Sequence, residues 1–299
     1  MKRIKKLPYL QSRGKNTHKG SFGRVFVLAG SPGMTGAAYL SSKGALRSGS
    51  GLVTLGIPKS LNPIMEVKLT CVMTHPLPET KASTLSFDGR EQILELCEIS
   101  DVVVLGPGLS QEPETRELII WLIATIDKTL VIDADGINAL ALSIDTLKNI
   151  KQNVVLTPHP GEMARLLHLD STKEVQKDRL NVATRFVESV NDTFENKKGV
   201  TLVMKGNETI VADFDKVYVN ITGNPGMATA GAGDVLSGII ASLIGQGMGV
   251  FDAAQLGVYV HGLAGDIASK KKGEASMIAT DILNCLPEAF LHYYQWEKK

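Results

Sequence analysis

The sequence predicts an α/β protein in three layers, a mostly parallel central sheet with helices on both faces. Three observations carry this. Short, continuously apolar, β-branched runs recur along the chain, as in strands covered on both sides. Helical patterns separate them, as in βαβ units. Glycine, 29 of the 299 residues, clusters where the runs end. Residues 24–29 form the first run, followed by Gly30-Ser-Pro-Gly-Met-Thr-Gly36 and a helical pattern over 37–48. Strands are expected at 52–55 and 101–105, the second ending in Gly106-Pro-Gly-Leu109, with a helix over 112–126. Residues 129–133 run into Ala-Asp-Gly and 153–156 into Thr-Pro-His-Pro-Gly, with helices expected over 161–168 and 173–190. From Val200 the texture changes: 200–204, 209–212 and 217–220 lie close together around turn residues, which suits an antiparallel meander at a sheet edge. Two further helices, near 232–245 and 252–269, are apolar on most faces and therefore deeply packed. No repeat or long linker divides the chain, so residues 1–299 read as one domain, with 1–20 a polar, basic arm that is mobile or packs on an edge.

Composition narrows the function. Hydrophobic residues at 43% and charged residues at 21% exclude a disordered chain, a collagen and a membrane bundle. Lysine plus arginine (32) nearly cancels aspartate plus glutamate (31), so no global field recruits nucleic acid or an anionic membrane. Any phosphate must be held by local geometry. Cys71, Cys97 and Cys285 are too few and too scattered for a zinc site or a disulfide framework, which points to a reducing cytoplasm. The basic start lacks an apolar signal core, and the longest apolar stretch, 118–126, is about half of the ~20 residues a membrane span needs. A soluble cytoplasmic protein is expected.

In an open parallel sheet, ligands sit outside the carboxyl ends of the strands. Five strand ends finish in Gly, Pro, Asp or His clusters: Gly30-Ser-Pro-Gly, Gly106-Pro-Gly, Asp133-Ala-Asp-Gly, Pro158-His-Pro-Gly and Lys205-Gly. A ligand cleft is expected along that edge. The strongest segment is Gly223-Asn-Pro-Gly-Met-Ala-Thr-Ala-Gly231-Ala-Gly-Asp234, which opens an apolar helix. Glycines before a helix let backbone N–H groups converge on one anion, so Gly231, Ala232 and Gly233 form a candidate anion hole. Asp234 repels phosphate, which makes sense if it takes the proton of a hydroxyl that attacks a phosphoryl group. Its alternative is an ordinary N-cap. A Walker loop is absent, and Gly30-x-x-Gly33-x-x-Gly36 has the wrong spacing for a dehydrogenase fingerprint.

Other residues carry paired readings. His159, between two prolines, sits in a stiff turn with few internal reasons to need an imidazole, against the alternative of a buried, satisfied histidine. Asp133 and Asp135 either hold magnesium through water or cap the helix near Gly136, and Glu162 serves a helix dipole or a metal-bound water. Lys205 ends a strand, where a phosphate partner is favoured over a surface role. Met227 packs beneath the glycine-rich turn, while His18, His75, His168, His261 and His292 are surface or packing residues.

The Gly231-Ala-Gly-Asp234 turn near the end of an α/β chain resembles the ribokinase-like superfamily. Together with Gly30-Ser-x-x-x-x-Gly-Ala37, Leu105-Gly-Pro-Gly-Leu109, Val131-Ile-Asp-Ala-Asp-Gly136, Thr157-Pro-His-Pro-Gly-Glu162 and Asn224-Pro-Gly-Met-Ala-Thr229, it resembles the ADP- or ATP-dependent NAD(P)H-hydrate dehydratases over residues 20–270. That resemblance implies a ribokinase-like sandwich and a lyase that phosphorylates the hydroxyl of (6S)-hydrated NADH or NADPH. Phosphate elimination then regenerates NAD(P)H, with AMP or ADP released. It also implies that Asp234 is the base, that Ala37, Gly108, His159 and Asp234 line the hydrated-cofactor pocket, and that Lys205, Gly206, Asn207, Glu208, Thr209 and Gly233 hold the nucleotide. Mg2+ as cofactor, ADP or ATP as phosphoryl donor and a homotetramer follow from the same source. Many bacterial relatives carry an epimerase domain first; about 20 residues precede the first strand here, so a separate epimerase chain is expected. Relatives often have Gly-Thr-Gly-Asp, and alanine at 232 loses a hydroxyl contact while keeping the backbone anion hole. Two rivals share the cleft: a kinase of a thiazole or pyrimidine alcohol, and a non-catalytic nucleotide sensor.

Overall fold

Alternation along each strand decides which layer its side chains join. A computed structural model describes residues 1–191 and 199–297. Strands β1 (Lys2–Arg3), β2 (Arg24–Leu28), β3 (Leu52–Pro58), β4 (Met73–Leu77), β5 (Val102–Leu105), β6 (Thr129–Ile132), β7 (Val154–Leu156), β8 (Val200–Met204), β9 (Ile210–Ala212) and β10 (Lys216–Val219) form one sheet. Its order is β1-β10-β9-β8-β7-β6-β5-β2-β3-β4, parallel except where β9 pairs with β8 and β10. Val25, Val27, Val102 and Val104 point to one face and Phe26, Leu28, Val103 and Leu105 to the other, so each face has its own apolar core. Helices α1 (Thr35–Arg47) and α2 (Asn62–Lys68) cover the first face. Helices α3 (Arg90–Glu98), α4 (Pro113–Thr125), α5 (Asp135–Ala141), α6 (Pro160–Leu166), α7 (Thr172–Lys177) and α8 (Arg179–Asn191) cover the second. The chain then returns to the first face with α9 (Ala232–Gly245), α10 (Val250–Lys272) and α11 (Ala279–Glu297). The three-layer sandwich and the edge meander are as expected.

Departures have local causes. The helix expected over 173–190 is two helices, because Asp178 leaves the helical conformation (φ −153°, ψ 74°) and its carboxylate accepts a hydrogen bond from the Asn181 N–H. Strand β4 and helices α2, α3 and α11 were not anticipated. The amino-terminal arm packs on an edge: β1 pairs in parallel with β10, Leu7 and Leu10 are buried, and the Lys6 carbonyl accepts from Gln255. The Leu10 N–H donates to the Tyr293 hydroxyl, which donates to the Pro8 carbonyl at 2.6 Å. Among the described residues, no helix is long and apolar enough to cross a membrane.

The topology also fixes where a crevice opens. Strand β2 lies between β3, the next in sequence, and β5, so chain progression reverses between β2 and β5. Ligands of open α/β sheets bind at such a switch point, outside the carboxyl ends. The turns after β2 and β5 are the Gly30 and Gly106 clusters.

Candidate active site

The two turns at the switch point are stitched together. The Gly30 N–H donates to the Pro107 carbonyl at 2.9 Å and the Ser31 hydroxyl to the Gly108 carbonyl at 2.8 Å. A Cβ on Gly108 would lie 3.0 Å from that of Ala37, so these two residues abut as one wall at the start of α1. Gly106 (φ 125°) brings the β5 end against the next turn: a Cβ there would sit 2.0 Å from the Asp133 carbonyl oxygen. Asp135 completes the join, accepting from the Ser110 N–H at 2.9 Å and from the Asn138 amide.

Beneath this edge lies a buried ionic cluster. The Lys205 Nζ donates to Asp133 Oδ1 at 2.6 Å and lies 3.6 Å from Glu162 Oε2. The Ser237 hydroxyl donates to Asp133 Oδ2 at 2.6 Å and bonds the Gly233 carbonyl at 3.0 Å. Burial pushes the Asp133 carboxyl up, but the ammonium and the Ser237 and Thr157 hydroxyls outweigh it and hold it below the usual range. Burial likewise pushes Lys205 down, and Asp133 with Glu162 more than restores it. Glu162 is raised, mainly by burial, against the pull of Lys205. Lys205 is paired with carboxylates inside the protein, and Asp133 does not cap α5, whose N-cap is Ala134. A Cβ on Gly233 would come within 3.1 Å of the Lys205 Nζ, so the ammonium sits directly under the anion turn.

That turn opens α9. Gly231, in the left-handed region (φ 91°), is the N-cap residue and has no side chain to cap with. The Ala232 N–H is engaged at 3.4 Å by the Thr229 carbonyl and that of Val235 at 3.3 Å by the Gly231 carbonyl. Among the described residues, the N–H groups of Gly233 and Asp234 have no acceptor. They are orphan donors of a helix start. The Gly231 N–H likewise has no acceptor among the described residues, so of the expected set Gly231 and Gly233 are open and Ala232 is not. Asp234 lies in the first turn of α9, so the N-cap alternative does not hold. Its carboxyl is pushed up to about 7, first by burial and then by Asp133, against the opposing pull of Lys205.

Helix α10 holds the segment leading into the turn. Asp266 accepts from the Gly223 N–H and the Asn224 side-chain amide, and the Thr222 hydroxyl donates to the Tyr259 carbonyl. His261 is a packing residue: it is buried against the Ala232 backbone and pushed down to about 4 by burial, so it is neutral near pH 7. Met227 packs on the core as expected.

His159 has an internal reason to be an imidazole. It is the N-cap of α6: its Nδ1 accepts from the Gly161 N–H at 2.9 Å and the Glu162 N–H at 3.3 Å, and Glu162 Oε2 accepts from the His159 N–H at 2.8 Å. That is a reciprocal capping box. Burial and then Lys205 and Arg165 lower its pKa, and the acceptor role at Nδ1 leaves the proton on Nε2, which faces Glu162 Oε1 at 3.3 Å. Its side chain is half exposed, so the cap and a ligand contact are compatible. Residues Gly206, Asn207, Glu208 and Thr209 form the β8–β9 turn, closed by the Thr209 hydroxyl on the Gly206 carbonyl.

A family model described as NAD(P)H-hydrate dehydratase, of the carbohydrate-kinase type, matches residues 25–288. The chain belongs to that family. A bifunctional NAD(P)H-hydrate repair enzyme of Moorella thermoacetica is 46% identical over 279 residues, 93% of this chain and 51% of the relative. The chain thus spans about half the length of the curated relatives first matched. An ADP-dependent (S)-NAD(P)H-hydrate dehydratase of Neisseria meningitidis is 36% identical over 282 residues, 91% of this chain and 86% of the relative. Among solved structures, the ADP/ATP-dependent dehydratase of Bacillus subtilis, co-crystallized with ATP/Mg2+, superposes with TM-score 0.79 at 28% identity, covering 95% of this chain and 94% of that one. A ribokinase-like superfamily protein of Enterococcus faecalis gives TM-score 0.78 at 26% identity, over 94% and 91%. The fold is ribokinase-like.

Proposed function

We propose that this chain dehydrates (6S)-hydrated NADH or NADPH at the expense of ADP or ATP. The observation that carries the reading is Asp234: a carboxyl held near neutrality in the same helical turn as two unpaired N–H donors. A base and an anion site so juxtaposed suit attack of a ring hydroxyl on a terminal phosphorus. Asp234 takes the hydroxyl proton, the N–H groups of Gly233 and Asp234 receive the transferred phosphoryl oxygens, and AMP or ADP departs. The ring nitrogen lone pair then expels phosphate, and the adjacent carbon loses a proton to restore the double bond. Ala37 and Gly108 wall the ring pocket, His159 borders it, and the 205–209 turn takes the nucleotide. Family membership and the named relatives support the assignment. Incubation with hydrated NADH, ADP and magnesium tests it: dihydronicotinamide absorbance and free phosphate are expected together. A stable phospho-alcohol from another substrate would instead make the chain a kinase. In the same reading the chain is a cytoplasmic homotetramer, and light scattering tests the tetramer.

Protonation sets the activity profile. Asp234 acts only when ionised, so kcat/KM rises with pH through a limb near about 7 and flattens above it. A profile flat from pH 5 to 8 would remove it as the base. Magnesium fits as a partner of the nucleotide. Among the described residues no three His, Cys, Asp or Glu side chains converge as a cage. Asp133, Asp135 and Glu162, whose carboxylates keep lone pairs beyond their internal hydrogen bonds, would hold the ion's waters. The ion neutralises phosphate charge when bound. Calorimetry is expected to show no tight Mg2+ binding without nucleotide, and excess chelator to abolish turnover. Tight binding by the protein alone would refute this.

A further inference from the structure

Helix α8 begins with Arg179, whose guanidinium reaches the β8–β9 turn. Nη2 donates to the Met204 and Lys205 carbonyls, both at 3.1 Å, and Nη1 to the Asn207 carbonyl. Gly206 (φ 136°) lies against the guanidinium, since a Cβ there would approach Nη2 to 3.0 Å and Cζ to 3.2 Å. The Gly206 carbonyl is occupied by the Thr209 hydroxyl. Every carbonyl from Met204 to Asn207 is thus engaged from inside the protein.

That engagement orients the other side of each peptide. In a trans peptide the N–H points opposite to its C=O, and no peptide here is cis. Holding the Lys205 and Asn207 carbonyls on Arg179 therefore aims the Gly206 and Glu208 N–H groups away from it. Neither has an acceptor among the described residues, whereas the Lys205 N–H is anchored on the Pro158 carbonyl at 2.8 Å. Glu208 adopts a left-handed conformation (φ 53°), which such a clamp stabilises. A flat, multidentate guanidinium suits three carbonyls where a lysine ammonium, a point charge, does not.

We propose that Arg179 is a positioning residue that shapes the 204–209 turn to receive a nucleoside di- or triphosphate. The inference rests on the nucleotide reading of that turn given above. Arg179→Ala and Arg179→Lys are expected to weaken ADP binding by about ten- to a hundredfold, the loss of charge-assisted hydrogen bonds. KM for the hydrated cofactor and kcat at saturating ADP stay at wild-type values. Low-millimolar guanidinium restores ADP affinity in Arg179→Ala but not in Arg179→Lys. Amide exchange across 204–210 quickens in both variants without ligand. A folded Arg179→Ala with wild-type ADP affinity overturns the proposal, as does equal weakening toward both substrates. Should the alanine variant not fold, Arg179→Lys carries the same comparison. If the wild-type chain binds neither ADP nor ATP, the nucleotide reading fails; exchange in the variants then shows separately whether Arg179 shapes the turn, and unchanged exchange removes even that.

Discussion

Asp234→Asn is expected to lower turnover by roughly a hundredfold or more while ADP or ATP binds as well as before or better. Losing a general base typically costs ~10²–10⁴ in rate. The amide keeps the size and the helical turn but cannot take the hydroxyl proton. Because the carboxylate faces the site that receives phosphate, its removal relieves repulsion. The same substitution is expected to raise Tm at pH 8. The folded-state pKa of about 7 lies above the ordinary value of 3.8, so the folded protein binds the extra proton. Stability from this group is therefore full below about 4 and is lost as pH rises through about 7. The variant's advantage should accordingly shrink as pH falls toward 5. Turnover, nucleotide affinity and Tm on one preparation decide the matter, and near-normal turnover takes Asp234 out of the mechanism.

Lys205→Met should cost about 3–5 kcal/mol of stability, because it strands Asp133 as a buried charge without its partner. A side chain spent on a phosphate would behave oppositely, with little change in Tm and a selective loss of nucleotide affinity. Adding Asp133→Asn to Lys205→Met should recover part of the loss, since the stranded charge is gone; full additivity of the two would mean that they do not interact. ADP affinity also falls in Lys205→Met, but through Gly233, which rests on the ammonium. A Lys205→Met protein of wild-type stability would return Lys205 to the ligand side.

What the sequence made legible was what local chemistry writes into it. Glycines after apolar runs announced the strand ends, and all five predicted turns lie on the carboxyl edge because a parallel sheet leaves them nowhere else. Strand β4 was illegible: Met73-Thr-His-Pro-Leu77 lacks the apolar run of a buried strand because it is an edge, where Pro76 needs no ladder partner. The break at Asp178 hides because the apolar pattern continues through it. His159 could have been read from spacing, since His-Pro-Gly-Glu places an acceptor at the cap, proline after it and glutamate three residues on. Lys205 could not. Its partner Asp133 is 72 residues away, and no pattern along a chain tells a strand-end lysine which of several acids it will meet. Ser237, Asp266 and Arg179 stayed silent for the same reason: each acts by reaching a backbone or carboxylate that only the tertiary fold brings near.

The Tyr293 hydroxyl joins the Leu10 N–H and the Pro8 carbonyl, residues more than 280 positions apart in the chain. Closing so long a loop is entropically costly and gains nothing until both sides are structured. On the ribosome, the arm emerges before its partners β10 and α11. The arm, made before those elements, is thus seated only after them. Until they are made, Leu7 and Leu10 lack the surface that buries them, and β1 has no strand to pair with. Arrival of β10 and α11 is what lets the arm close onto the sheet edge.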